Sequence, residues 1–233
     1  MFALNSMIPT NYAILKEGPY RNPAKTPHYI SDKSKEGLAK REAERKAKIV
    51  KREHKEVTLA LIEIPEITIS KTSTPPKIDG KLNDTVWKTA AKFGNYWQYY
   101  GAKRVQKNYQ SYGYVTYDNS KIYFGIYSYK GSNNYLEKQG DGGKVWEDDS
   151  IEIFFDPEGK GKYIQFGITS KGARWSSIGN INFDVKTSKT DDGYIVEVAI
   201  PFTLIGATPK SGDIWRVNTC RSDYDLIIPH SAW

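Results

Sequence analysis

The sequence predicts an all-β fold, an antiparallel β-sandwich that is jelly-roll-like, preceded by a basic and partly helical N-terminal arm. Three observations carry this prediction. Short runs alternating apolar and polar residues fill the chain from about residue 66, separated by Gly, Asn and Asp turn signals. Aromatic residues crowd into that same part: all six Trp lie beyond residue 80, whereas residues 1–66 hold only Phe2, Tyr12, Tyr20 and Tyr29. Basic charge crowds into the other part: residues 33–56 carry ten Lys and Arg against five Glu, most of the net +7.

Composition bounds the reading. With 233 residues and 39% hydrophobic content, the chain can bury a core, which excludes wholesale disorder. No window approaches the roughly 18 apolar residues of a membrane-spanning helix. The lone Cys220 excludes an internal disulfide and a Cys-rich zinc site. An aromatic content of 13% in a chain of mean hydropathy −0.62 points to many short strands, to a surface that stacks flat ligands, or to both.

The arm spans residues 1–65. Its segment 33–56 is rich in Ala, Glu, Lys and Arg, lacks Pro, and is expected to form a charged helix with Ser31 or Asp32 near its start. The apolar stripe (Leu38, Ala39, Ala43, Ala47, Ile49, Val50) is thin, as on a solvated helix. A basic arm on nucleic acid is the alternative, but no aromatic interleaves the charges and the interspersed Glu would weaken phosphate contact. The N-terminus has no basic start and no uninterrupted apolar stretch, so it does not read as a secretory signal. The expectation is a cytoplasmic product or a fragment whose start is missing.

In the body, residues 66–233, strands are expected at SYGYVTYD (111–118), KIYFGIYSY (121–129), SIEIFFD (150–156), KYIQFGIT (162–169), GYIVEVAIP (193–201) and IWRVNTC (214–220). A short helix is expected after Asp84, with Trp87 as a core plug. Period two assigns the faces. Ile151, Ile153 and Phe155 share one side of their strand, and Ser150, Glu152, Phe154 and Asp156 the other. Ile164, Phe166 and Ile168 oppose Gln165 and Gly167. If the two strands are neighbours, Glu152 and Gln165 project from one surface. A surface both polar and aromatic suits a sugar, whose hydroxyls bond carboxylates and amides while its C–H faces stack on indoles. Tyr96, Trp97, Tyr99 and Tyr100 are either a second stacking patch or rim cover. Trp175 lies in a hairpin or loop that could flank a ligand.

Five segments, PPKIDGKLNDTVWKTA (75–90), VTYDNSKIYFGI (115–126), VWEDDSIEIFFDP (145–157), DGYIVEVAIP (192–201) and GDIWRVNTCR (212–221), occur in an order that resembles the family 9 carbohydrate-binding modules. The resemblance covers about residues 66–233. It implies a non-catalytic β-sandwich with structural calcium that holds a sugar or a chain end between two tryptophans. The first falls on Trp146, the carboxylate on Glu152, and the second on Trp233. An arginine of the family falls on Gly167, with Gln165 two residues earlier; Arg221 or Arg174 are candidates to supply a guanidinium instead. The family runs on past its second tryptophan, so a last strand is expected to be missing here.

The resemblance further implies attachment to a polysaccharide-degrading, glycoside hydrolase-associated system and an extracellular or periplasmic place. The ligand-binding set is thus Trp146, Glu152, Gln165, Trp233, Trp175 and Arg221. The expected partner is carbohydrate, with neither nucleic acid nor a membrane span, and the chain is expected to be a monomer. Two alternatives stand beside this reading. One is a glycosidase using Glu152 and Glu197 as acid and base. The other is a haem-binding or protein-interaction sandwich with the sugar cleft lost, in which His230 would be the axial candidate.

Overall fold

A computed structural model describes residues 2–6, 65–99, 103–227 and 229–233. The expected charged helix 33–56 and Tyr100 lie outside the described residues.

The first sheet contains β1 (Phe2–Ser6), β2 (Glu66–Ile69), β4 (Trp97–Gln98), β7 (Ser150–Asp156), β8 (Ile164–Thr169), β9 (Arg174–Ser176), β12 (Ile214–Ser222) and β13 (His230–Ala232). Its order is β2-β1-β12-β7-β8-β9, with β13 pairing β12 and β4 pairing β13. The second sheet runs in the order β10 (Asp184–Thr190), β11 (Gly193–Pro201), β6 (Lys121–Tyr129), β5 (Ser111–Tyr117), β3 (Ala91–Gly94). Pairing is antiparallel except between β1 and β12, which run parallel. The strand Phe2–Ser6 falls within the segment assigned from sequence to the arm.

Alternation builds the core. Ile151, Ile153 and Phe155 on β7 and Phe166 and Ile168 on β8 are fully buried and meet Val115, Phe124, Ile126, Val196 and Val198 of the second sheet. Phe124 and Phe155 meet edge to face across the sheets, centroids 5.9 Å apart. The six strands expected from alternating runs all form. Those not foreseen are short or polar. β10 (DVKTSKT) is an edge strand whose register comes wholly from β11.

The short helix forms as α1 (Thr85–Thr89). Asp84 starts it, spending its carboxylate on the backbone N–H of Lys77 rather than on a helix cap. Ala90 in extended conformation ends it. Its one buried residue is Trp87, which lies on the outer face of the second sheet with Tyr123 and Ala199. A second single-turn helix, α2 (Phe202–Ile205), closes on Gly206, whose φ of 73° is the left-handed conformation that favours glycine.

Candidate functional site

The register of the first sheet places one row of side chains across its outer face. Trp97 pairs with Ala232, Ala232 with Cys220, Cys220 with Glu152, Glu152 with Gly167, and Gly167 with Trp175. Partners in register project to the same side, and Ile151 and Ile153, on either side of Glu152, face the core. The row therefore points away from the core. Trp97 and Trp175 stand at its two ends, separated by five strand spacings, about 24 Å at the backbone. Next to this row, Phe154 and Gln165 pair on the same face, and the Gln165 amide donates to the Glu152 carboxylate. The two polar residues expected on one surface are thus in direct contact.

An aromatic wall rises beside Glu152. The single turn Val145–Glu147 precedes β7 and carries the half-buried Trp146. The Trp146 and Trp175 rings meet at 87°, centroids 5.1 Å apart. Tyr224, exposed after β12, donates its hydroxyl to the Trp146 carbonyl at 2.8 Å and meets His230 edge to face at 6.2 Å. Ser222 Oγ and His230 Nδ1 are 3.0 Å apart, which orients that imidazole.

Gly167 fixes the height of the wall. A Cβ there would come within 2.3 Å of Val145 Cγ2. The Val145 side chain occupies the space a side chain at 167 would need, so a guanidinium cannot extend from this position while the turn carrying Trp146 stays where it is. The departure at Gly167 from the resembling family's arginine is thereby linked to the seating of Trp146.

Glu152 is only 8% exposed. Burial raises its carboxyl to about 7, against which the Gln165 hydrogen bond acts. Near neutral pH it therefore exchanges between an acceptor-only carboxylate and a carboxylic acid that can also donate. Burial and the nearby Glu152 charge push the Cys220 thiol well above its ordinary value, so it is a small neutral neighbour rather than a nucleophile.

Three sequence expectations are corrected. Trp233 does not share this face. Ala232 points outward, so its successor turns inward; Trp233 packs against the core and meets Phe93 at 5.5 Å. Arg221 is 1% exposed and also faces inward. Its guanidinium donates to the Tyr109 and Tyr129 carbonyls and pairs with Asp223 at 2.6 Å, so its role is internal. Glu197 cannot pair with Glu152 as acid and base, because it sits on the outer face of the opposite sheet beneath α1. There it accepts from the N–H groups of Asp79, Gly80 and Lys81 and from Trp87 Nε1.

Two further residues bear on this face, Trp97, which the sequence offered only within its 96–100 cluster, and Tyr224, which it did not single out. Trp97, 43% exposed, lies on the Glu152 row, and the Arg104 guanidinium stacks 4.5 Å from its ring centroid. Its neighbour Tyr96 is buried and bonds Thr219 at 2.7 Å. The aromatic cluster thus alternates between core and surface, the period-two signal that could have singled out Trp97. Tyr224 gave no such signal, because it lies in a turn.

No helix among the described residues is long and apolar enough to cross a membrane. No curated protein matches the chain. Two solved structures of a carbohydrate binding module family 9 from Caldicellulosiruptor kristjanssonii, one in complex with cellotriose and one with glucose, resemble it in fold. Their identities are 21% and 20% and their TM-scores 0.53 and 0.54; each alignment spans 70% of this chain and 80% or 82% of the module. The family model described as carbohydrate family 9 binding domain-like matches residues 78–219, more than half of the chain. With that match and a two-sheet sandwich formed by the matched residues, this chain belongs to the carbohydrate family 9 binding domain-like family, whose modules bind sugars without catalysing a reaction.

Proposed function

We propose that the outer face of the first sheet binds carbohydrate through Glu152 and Gln165, with Trp146 and Trp175 stacking on the sugar ring. The carrying observation is the hydrogen-bonded pair of buried Glu152 and half-buried Gln165, on the sheet face that also carries Trp175, whose ring meets that of Trp146. A sugar presents vicinal hydroxyls and flat C–H faces. A carboxylate beside an amide matches the first, and indole rings match the second. Cellotriose and glucose in the two similar modules make glucose-type sugars the first ligands to try.

Trp97, at the far end of the same row, gives the surface a length greater than one sugar ring and so favours a polysaccharide chain or its end. In this reading the module works outside the cytoplasm beside an enzyme that hydrolyses polysaccharide, tethering that enzyme to its substrate. The test is isothermal titration with glucose, cellobiose, xylobiose and galactose on the wild type and on Glu152→Ala. Binding of at least one sugar by the wild type, lost in the folded variant, supports the proposal. A folded wild type that gives no heat with any of the four overturns it.

A further inference from the structure

At one end of the sandwich, three carboxylates converge on a single ammonium group. Lys130 Nζ lies 3.1 Å from Asp149, 2.9 Å from Asp223 and 3.0 Å from Asp225. The side chains of Lys130, Asp149 and Asp223 are each 1% exposed. The Tyr135 ring covers another side, its centroid 5.5 Å from Nζ. Lys130 is the only lysine buried among the described residues.

Such convergence of carboxylates is what a hard divalent cation requires, and the resemblance read from sequence implies structural calcium. The residues do not fit calcium here. Calcium takes about 6–8 oxygens at about 2.3–2.6 Å, whereas these oxygens stand at the spacing of ammonium hydrogen bonds. Their remaining capacity is also committed. Asp149 accepts from the backbone N–H groups of Leu136 and Tyr224, and Asp223 from that of Asp225 and from Arg221. Asp225 accepts from Ser132 Oγ. Elsewhere, one buried carboxylate oxygen, Asp148 Oδ1, has no hydrogen-bond partner, but one oxygen is not a cage. No group of three or more His, Cys, Asp or Glu arranged to hold a metal occurs among the described residues.

We infer that Lys130 serves as a built-in cation in the place of a structural metal, so that this end of the sandwich is held together without calcium. A second cation, Arg221, assists through Asp223. The lysine directly follows β6 of the second sheet; Asp149 and Asp223 flank β7 and β12 of the first. The ammonium therefore ties the two sheets together. It also reaches the sugar face: Asp149 holds the Tyr224 backbone, and Tyr224 holds the Trp146 carbonyl. Burial works against the charged lysine. The Asp223 hydrogen bond and the surrounding carboxylates outweigh it and hold the ammonium above its ordinary pKa.

The test observes the ammonium directly. In protein labelled with 15N-lysine, one slowly exchanging ammonium resonance is expected, unchanged by millimolar CaCl2 or by EDTA. Lys130→Met should remove it and lower Tm, and CaCl2 should leave the wild-type Tm unchanged. Should the variant fail to fold, the wild-type resonance alone decides. Absence of a protected lysine ammonium, or its displacement by calcium with a rise in wild-type Tm, overturns the inference.

Discussion

Glu152 and Glu197 occupy equivalent places in the two halves of the sandwich. Each is the acidic member of an alternating strand, each projects outward, and each is buried. Their surroundings differ. Glu197 lies under α1 and the 77–81 turn and satisfies four donors from them. Among the described residues Glu152 takes its hydrogen bond from Gln165, and what packs over the neighbouring Gly167 on that face is the single turn Val145–Glu147 that carries Trp146. A buried carboxylate with every lone pair assigned is a structural staple. One with spare lone pairs beside stacking surfaces is a place for a ligand. The second sheet covers its outer face at Glu197 with α1 and the 77–81 turn, whereas on the first sheet the proposal puts a sugar beside Glu152.

The largest way to break this comparison is Glu197→Ala. It strips four donors of their acceptor, one of them the Trp87 indole. We expect a loss of about 3–5 kcal/mol in urea unfolding, with sugar affinity of the folded protein unaltered. A loss of sugar binding without a loss of stability would place Glu197 in the site and end the distinction.

Glu152→Gln should act oppositely on the two properties. Sugar affinity is expected to fall at least tenfold, because a charged acceptor is lost. Stability is expected to rise at pH 8. Burial raises the Glu152 carboxyl to about 7 from an ordinary 4.5, so the folded protein binds the proton more tightly than the unfolded chain does. The stability this contributes is full below pH 4.5 and lost as pH rises through 7. At pH 8 the charged, buried form costs on the order of 3 kcal/mol, which the neutral amide avoids. Denaturation curves of both proteins at pH 4, 6 and 8 measure this; parallel curves would show that Glu152 is not strained by its burial. In the wild type, sugar affinity should increase across the same window as the carboxylate forms.

Trp233→Ala separates core from surface. Removing a half-buried indole from the contact with Phe93 should cost about 2 kcal/mol of stability, while titration with sugar should give the affinity of the wild type. A selective loss of affinity would restore Trp233 as a stacking platform. The smallest effect is expected for Trp175→Ala, a weakening of about 0.5–1.5 kcal/mol, or 2- to 12-fold in Kd, from the loss of one stacking surface. An unchanged Kd would confine the site to Trp146 and the polar pair.

The sequence determined the strands and their faces by itself. Ile151, Glu152 and Ile153 cannot share a side of a pleated strand, so alternation alone marked Glu152 as pointing away from the core and allied it with Gln165. Alternation was too short to assign a face where the strands were two or three residues long. Trp97 and Trp233 are adjacent to buried and exposed neighbours whose order only register reveals: pairing with Ala232 turns Trp97 outward, and one further residue turns Trp233 in. Arg221 and Glu197 looked available because sequence does not show what lies above a strand. Tertiary structure decided which outward carboxylate lies under a helix, which tryptophan lies on the outer face of the first sheet, and that Lys130 meets three aspartates from the segments flanking β7 and β12. Side-chain direction is local, set by the backbone period. Coverage and charge pairing depend on segments brought together only when the two sheets close on one core.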